Sequence, residues 1–328
     1  MSERFKSLER WLEETLATSD FILKPASEDA SFRYYYRLAL NNDTFIVMDA
    51  PPDQEDCKPF IKVNELLHKS SVNVPIIHNM DLKQGFLLLS DFGNDHYLNK
   101  LTNLTANTLY SDAIQTILTM QLSNETKGLA KYDEVLLRRE MRLFPDWLLN
   151  KHLRITLEPE QSNSMETLFD LLVVNALEQP QVFVHRDFHS RNLMLTKENN
   201  PGVIDFQDAV VGPITYDLVS LLKDCYIKWN KKEISGWVNF YFNELAMHDS
   251  KLKIDREQFQ RWFDLMGVQR HLKASGIFAR LSHRDGKHGF MQDIPRTLSY
   301  IVELGPTYKE LLPLCQLIEH SILPELEQ

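Results

Sequence analysis

The chain has 328 residues, 43% hydrophobic and 25% charged, which gives enough apolar mass for a sizeable core and a length of about two domains. Its net charge of −10 and pI near 5.6 speak against general nucleic-acid binding and against docking on an anionic membrane; a small anion in a local basic pocket stays open. The opening MSERFKSLERW has no apolar core of signal-peptide length, no apolar run could span a bilayer, and Cys57, Cys225 and Cys315 are too far apart for a zinc knuckle or redox pair. A cytoplasmic protein with three unreacted thiols is expected.

In chain order, RYYYRLAL (33–40) and TFIVM (44–48) flank the turn-forming Asn41-Asn42-Asp43, which predicts a β-hairpin. Pro59 to Ser70 reads as a helix with Phe60, Val63, Leu66 and Leu67 on one face, and Phe86 to Leu89 as a short strand. Near residue 95 the texture changes. Ser111–Leu122, Glu134–Asn150 and Met165–Leu177 carry helical apolar spacing. Between them and the helical C-terminal third, the runs Leu193–Leu195 and Val203–Ile204 flank KENNPG and predict a small hairpin after a polar loop. Asp217 and Asp255 are expected to cap the helices that follow. The expected fold class is α+β, with a small β-rich lobe over residues 1–93 and a larger helical lobe over 94–328.

The polar loop carries the chemistry. VFVHRDFHSRNLML (182–195) contains His185-Arg186-Asp187, then four residues, then Asn192, the spacing of a kinase catalytic loop. Asp187 would orient an attacking hydroxyl and take its proton, while Asn192 reaches back to Mg2+ on the phosphates. Asp205, in Ile204-Asp205-Phe206, follows the hairpin and is the expected second metal ligand, since magnesium favours a few hard oxygens. Gln207 stands where a kinase has glycine. The earlier Asp91-Phe92-Gly93 precedes the catalytic loop and is read as a hinge, not a metal site.

The small lobe lacks both a Gly-rich loop and a strand lysine: Met48 and Asp49 stand where the lysine would be sought. Ser31 and Arg33, at the end of the preceding loop, are the candidates for nucleotide contact; an exposed strand face is the alternative for Arg33, and Glu65 is a possible partner for it. Downstream, RHLKASGIFARLSHRDGKHG (270–289) holds Arg270, Lys273, Arg280, Arg284 and Lys287 with one acid, Asp285. If helical, these residues share one face, either a site for an anionic group or a solvated basic surface.

The phrases VHRDFHSRNLML and VIDFQDAVVGPITYDLVSLL resemble the aminoglycoside phosphotransferase family, relatives of choline and protein kinases. SFRYYYRL, IVMDAPPD, GFLLLSDFG and QRHLKASGIFARLSHRDGK are similar, more narrowly, to the anomeric amino-sugar kinases of bacterial cell-wall recycling. The resemblance implies a two-lobed kinase fold, ATP and Mg2+ as cofactors, and N-acetylmuramate and N-acetylglucosamine as substrates. It implies Asp187 as base, Asn192 and Asp205 as metal ligands, and the backbone of Leu89, Ser90 and Asp91 as the adenine contact. Asp208, Arg270, Arg280 and Arg284 would face the sugar, and Asp217 would brace the catalytic loop while capping its own helix. A monomer is expected, with an oligomer open. Another small-molecule kinase of this fold, or a nucleotide-binding scaffold without turnover, would share most of these features.

Overall fold

A computed structural model describes residues 3–28, 32–248 and 253–326. The chain divides into two compact units, Met1–Asp95 with Met194–Asp208, and His96–Leu193 with Ala209–Gln328.

The first unit opens with helix α1 (Glu3–Leu16), followed by strands β1 (Ile22–Glu28), β2 (Tyr34–Leu40) and β3 (Asp43–Asp49), helix α2 (Lys58–Lys69), and strands β4 (Ile77–Asp81) and β5 (Phe86–Ser90). The strands form one antiparallel sheet in the order β1-β2-β3-β5-β4. The expected hairpin is β2–β3, closed with Leu40 opposite Asp43 across a turn in which Asn41 takes a left-handed φ of 57°. Asparagine tolerates that conformation better than branched residues. Sequence periodicity did not single out α1. Its Leu8, Trp11 and Leu12 share one face and pack on Leu38, Val47, Phe86 and Leu88 of the sheet. Alternation along β5 sends Phe86 and Leu88 to that layer.

The second unit begins with α3 (Tyr97–Lys100), α4 (Ala106–Leu122), β6 (Ala130–Lys131) and α5 (Glu134–Met141). The helix expected through Asn150 is broken after α5, where the chain becomes a π-helix over Phe144–Leu153. Pro145 has no N–H to continue the α ladder, which accounts for a change of hydrogen-bond pattern at this point. Next come α6 (Pro159–Leu177) and β7 (Gln181–Val184), then the catalytic-loop segment. The short pair β8 (Leu193–Met194) and β9 (Gly202–Val203) is the expected small hairpin, and most of it clusters with the first unit. There Val203 donates its N–H to Asn73 O and Phe206 packs on Phe60, with ring centroids 4.8 Å apart.

The chain returns to the second unit with β10 (Val210–Pro213), which pairs antiparallel with β7 and parallel with β6. Helices α7 (Tyr216–Leu222), α8 (Lys231–His248), α9 (Arg256–Asp285) and α10 (Ile294–Val302) follow. The thirty-residue α9 is the spine of this unit and is buried along most of its length. Asp255 caps it as expected, accepting from the N–H groups of Glu257 and Gln258, and Gly286 ends it in the left-handed conformation that glycine adopts without a Cβ penalty. A Cβ on Gly276 would lie 2.3 Å from the carbonyl carbon of Leu143, so glycine is what lets the π-helix cross α9 closely. No described helix is long and apolar enough to cross a membrane. All three cysteines are buried and free.

Candidate active site

In the second unit the loop after β7 is shaped by two carboxylates at the two ends of α7. Asp217 accepts the backbone N–H of His185 at 2.7 Å and of Arg186 at 3.0 Å. Asp224 accepts from the N–H of Ser190 at 3.0 Å and of Tyr226 at 2.8 Å. Loop N–H groups that would otherwise be buried without a partner are thereby satisfied. Asp217 therefore braces the loop as expected but does not cap α7. It is the second residue of that helix and Thr215 holds the cap position, because both carboxylate oxygens are committed to the loop. Burial pushes its pKa up to about 7, against the two N–H donors, which favour the charged form.

Arg186 has a left-handed φ of 79°, a conformation that costs a non-glycine residue about 1–3 kcal/mol unless its surroundings enforce it. The enforcement comes from a buried cluster behind the loop. The Arg186 guanidinium pairs with Glu140 of α5, which also accepts the hydroxyl of Tyr132. Lys273 of α9 lies 3.6 Å from Glu140 and donates to the Tyr216 hydroxyl at 3.1 Å. Burial alone would raise the Glu140 pKa, but Lys273 and Arg186 outweigh it and hold the carboxyl below its ordinary range. Burial, with Tyr216 and Glu140 beside it, lifts the Tyr132 phenol well above its own.

In front of this cluster Asp187 presents a carboxylate whose side chain is 39% exposed. Its N–H donates to His185 Nδ1 at 3.2 Å, and its carbonyl accepts the amide of Asn192 at 3.0 Å. The motif spacing thus becomes a contact: the candidate base and the candidate metal ligand are fixed to one another through the loop backbone. Desolvation opposes the charge on Asp187, yet Lys273, His189, Arg270 and Arg186 together hold its pKa well below the carboxylate range. The group is an ionised acceptor at neutral pH, ready to orient a hydroxyl and receive its proton.

The expected basic face on α9 divides. Arg270 and Lys273 are buried, Arg280 is half-buried, and Arg284 is exposed and paired with Asp285 at 2.7 Å. Lys287 lies beyond the end of the helix. Of these cations, Arg270 approaches the catalytic loop, with Nη2 3.9 Å from Asp187 Oδ1. Helical spacing grouped these residues on one face, but the helix ends before Lys287, and the spacing carried no sign that Arg270 and Lys273 would be inside.

In the first unit, Asp205 takes a left-handed φ of 63° and its Oδ1 accepts the Gln207 amide at 2.8 Å. Gln207 thus orients the carboxylate in place of the missing glycine. Asp208, next along, is exposed in the turn before β10. Asp91 holds Arg37 through both carboxylate oxygens, at 2.6 and 3.0 Å, and accepts the N–H of Gly93 at 2.8 Å. Leu89 is buried within β5, and Ser90 donates its N–H to Ile76 O at 2.9 Å. Arg33 is buried and pairs at 3.1 Å with Glu55. Glu65, expected as a possible partner, is exposed on the other side of its helix from Phe60, Val63 and Leu67. Asp49 is occupied by Arg4 of α1, at 2.8 Å. Ser31 lies outside the described residues.

Glu140, Tyr132 and Asp224 were not legible as site residues. Glu140 sits in LLRREMR, which reads as a charged helix surface, and only the fold brings it under Arg186.

A braced HRD-type loop with Asp187 and Asn192 tied together in one unit, and a small antiparallel sheet in the other, are the features of a kinase-like phosphotransferase fold. The chain belongs to the phosphotransferase enzyme family, whose profile matches residues 22–251. It is similar to the N-acetylmuramate/N-acetylglucosamine kinase of Pseudomonas aeruginosa, 45% identical over 326 residues and covering 96% of each chain. The protein of the same name from Neisseria meningitidis is 40% identical, covering 96% of this chain and 95% of that one. Among solved structures, the choline kinase LicA from Streptococcus pneumoniae superposes with a TM-score of 0.65 at 12% identity, covering 91% of this chain and 99% of that one. At that identity the likeness shows the fold alone.

Proposed function

We propose that this protein is an ATP- and Mg2+-dependent sugar kinase that phosphorylates the anomeric hydroxyl of N-acetylmuramate and N-acetylglucosamine, in cytoplasmic peptidoglycan recycling. The observation that carries the reading is full-length similarity, at 45% identity, to a protein named for both sugars, with Asp187, Asn192 and Asp205 in place in this chain. Residues 1–93 would form the nucleotide-covering lobe and 94–328 the lobe with the catalytic loop and sugar site.

Asp187 accepts the proton of the anomeric hydroxyl. That hydroxyl is more acidic than an ordinary sugar hydroxyl, so an ionised carboxylate of low basicity suffices. The amide oxygen of Asn192 and the carboxylate of Asp205 are hard donors of the kind magnesium takes, one or two protein groups complemented by phosphates and water. When bound, the metal neutralises charge on the phosphates. The braced loop supplies orientation, which is the larger part of catalysis in phosphoryl transfer. Ser31 and Arg33 are assigned to the phosphates, and Leu89, Ser90 and Asp91 to adenine by their backbone. The Ser90 N–H is already given to Ile76, which takes that donor out of the set.

Asp208, Arg280 and Arg284 are assigned to the sugar side. N-acetylmuramate carries a lactyl carboxylate that N-acetylglucosamine lacks. Arg280, half-buried with an Nε that has no hydrogen-bond partner among the described residues, suits it better than Arg284, which already holds Asp285. Replacing Arg280 by alanine should therefore weaken N-acetylmuramate more than N-acetylglucosamine, and Arg284→Ala should do so less. Phosphorus NMR of a reaction with ATP and N-acetylmuramate tests the whole reading. It should give one new phosphomonoester coupled to the anomeric proton; a signal coupled to another ring position, or no transfer to either sugar, would refute it.

A further inference from the structure

Arg270 is 5% exposed, yet its guanidinium is poorly supplied with acceptors. Among the described residues its Nε has no hydrogen-bond partner, Nη1 meets only Cys225 Sγ at 3.7 Å, and Nη2 stands 3.9 Å from Asp187 Oδ1, beyond hydrogen-bond distance. A guanidinium offers five N–H donors, and buried polar groups are normally satisfied. Each neighbouring cation has a closer oxygen acceptor than Arg270 has: Arg186 pairs with Glu140, and Lys273 donates to the Tyr216 hydroxyl at 3.1 Å. Arg270 is therefore a rigid cation short of acceptors, mounted on the buried part of α9 and directed at the catalytic carboxylate.

The position of Asp187 limits what the missing acceptor can be. A general base works within about 3 Å of the hydroxyl it deprotonates. The oxygen receiving phosphorus must then lie close to the Arg270 guanidinium, and the oxygens of the incoming phosphoryl group lie one bond further on. In phosphoryl transfer the charge is spread over those three oxygens. A planar fork of N–H donors matches such a group. The lysine that grips phosphate from the third strand in protein kinases is absent, its place taken by Met48 and by Asp49, itself paired with Arg4.

We propose that Arg270 is a catalytic residue that binds the oxygens of the transferring γ-phosphoryl group and supplies the positive charge the strand lysine would have given. This rests on the phosphotransferase reading of Asp187. In the step, a bond forms between the acceptor oxygen and the γ-phosphorus of ATP. The bond from that phosphorus to the β,γ-bridging oxygen breaks, and its electron pair leaves with ADP. The acceptor proton passes to Asp187. Arg270 transfers nothing; it holds charge where charge accumulates.

Steady-state kinetics of Arg270→Ala and Arg270→Lys with both sugars, across pH and alongside thermal unfolding, test this. The alanine variant should lose about a hundredfold or more in kcat, the scale of removing one oriented charge-stabilising donor. The loss should be equal for N-acetylmuramate and N-acetylglucosamine, constant with pH, with sugar KM little changed and activity partly restored by free guanidinium ion. The lysine variant, which keeps a point charge but not the fork, should lose about tenfold and remain folded if alanine does not. A loss confined to N-acetylmuramate would overturn the proposal and make Arg270 a reader of the lactyl carboxylate. A loss that vanishes at higher pH would overturn it in favour of a group that only holds the Asp187 pKa down. If wild type phosphorylates neither sugar, the substrate reading fails by itself. Magnesium-dependent ATP hydrolysis then carries the comparison: a fall in Arg270→Ala supports the charge-stabilising role, and an unchanged rate overturns it.

Discussion

Two segments that begin Asp-Phe, Asp91-Phe92-Gly93 and Asp205-Phe206-Gln207, lie in the first unit after residue 90. Their carboxylates are used in opposite ways. Asp91 is closed off, with both oxygens on Arg37 and one also on the Gly93 N–H. Asp205 sits on a left-handed backbone and is steadied by the neutral Gln207 amide. The aromatic rings differ too. Phe206 is fully buried and packs on Phe60, while Phe92 covers Gly202 of β9, where a Cβ would come within 2.7 Å of the ring. A tripeptide is not a site. What decides is the set of partners the fold gives each carboxylate.

The largest effect should come from breaking the second segment. On the proposed metal role, Asp205→Asn would remove a charge from the ligand set of a metal that would supply several kcal/mol of transition-state charge stabilisation, so kcat/KM should fall on the order of a thousandfold and the Mg2+ requirement should rise. Asp91→Asn should leave the Mg2+ dependence near that of wild type and instead cost about 1–3 kcal/mol of stability, by weakening a charge-assisted pair whose carboxylate is buried. A Mg2+ titration of both variants against their melting curves separates the two roles; a metal-dependent defect in Asp91→Asn would collapse the distinction. Gly202→Ala should destabilise by about 1–3 kcal/mol, because the new methyl must displace Phe92. Restoring the kinase form with Gln207→Gly removes one hydrogen bond to Asp205, worth about 1 kcal/mol, and should raise the Mg2+ requirement roughly fivefold.

The smallest expected effect is with pH. A depressed carboxyl stays ionised as pH falls through the ordinary value near 3.9, and the stability it contributes is present above that value and lost only as pH drops through the lower folded one. The rate should therefore show no acid limb attributable to Asp187 between about pH 5 and pH 8. An apparent pKa near 6 that disappears in Asp187→Asn would contradict the electrostatic account of the loop.

Much of this was legible in the sequence because it depends on local pattern. The β2–β3 hairpin follows from alternation around Asn41-Asn42-Asp43, α2 from its apolar stripe, and the Asp187–Asn192 relation from a spacing that the loop turns into a hydrogen bond. What was not legible depends on remote partners. The stripe Leu8, Trp11 and Leu12 becomes α1's core face only because the sheet offers Leu38, Val47, Phe86 and Leu88. Periodicity grouped Arg270 with Arg284 but could not say that one would be buried beside Asp187 and the other left in solvent with Asp285. Asp217 looks like a cap because an acid preceding an apolar run often is one; the loop it braces is 31 and 32 residues away in sequence.

The most direct test of the central claim is sugar-dependent ADP formation by wild type and Asp187→Asn under saturating ATP and Mg2+. ADP release by the wild type should require N-acetylmuramate or N-acetylglucosamine, and kcat should fall about 10²–10⁴-fold when Asp187 is neutralised. Equal rates in the two proteins, or wild-type release that ignores the sugar, would contradict it.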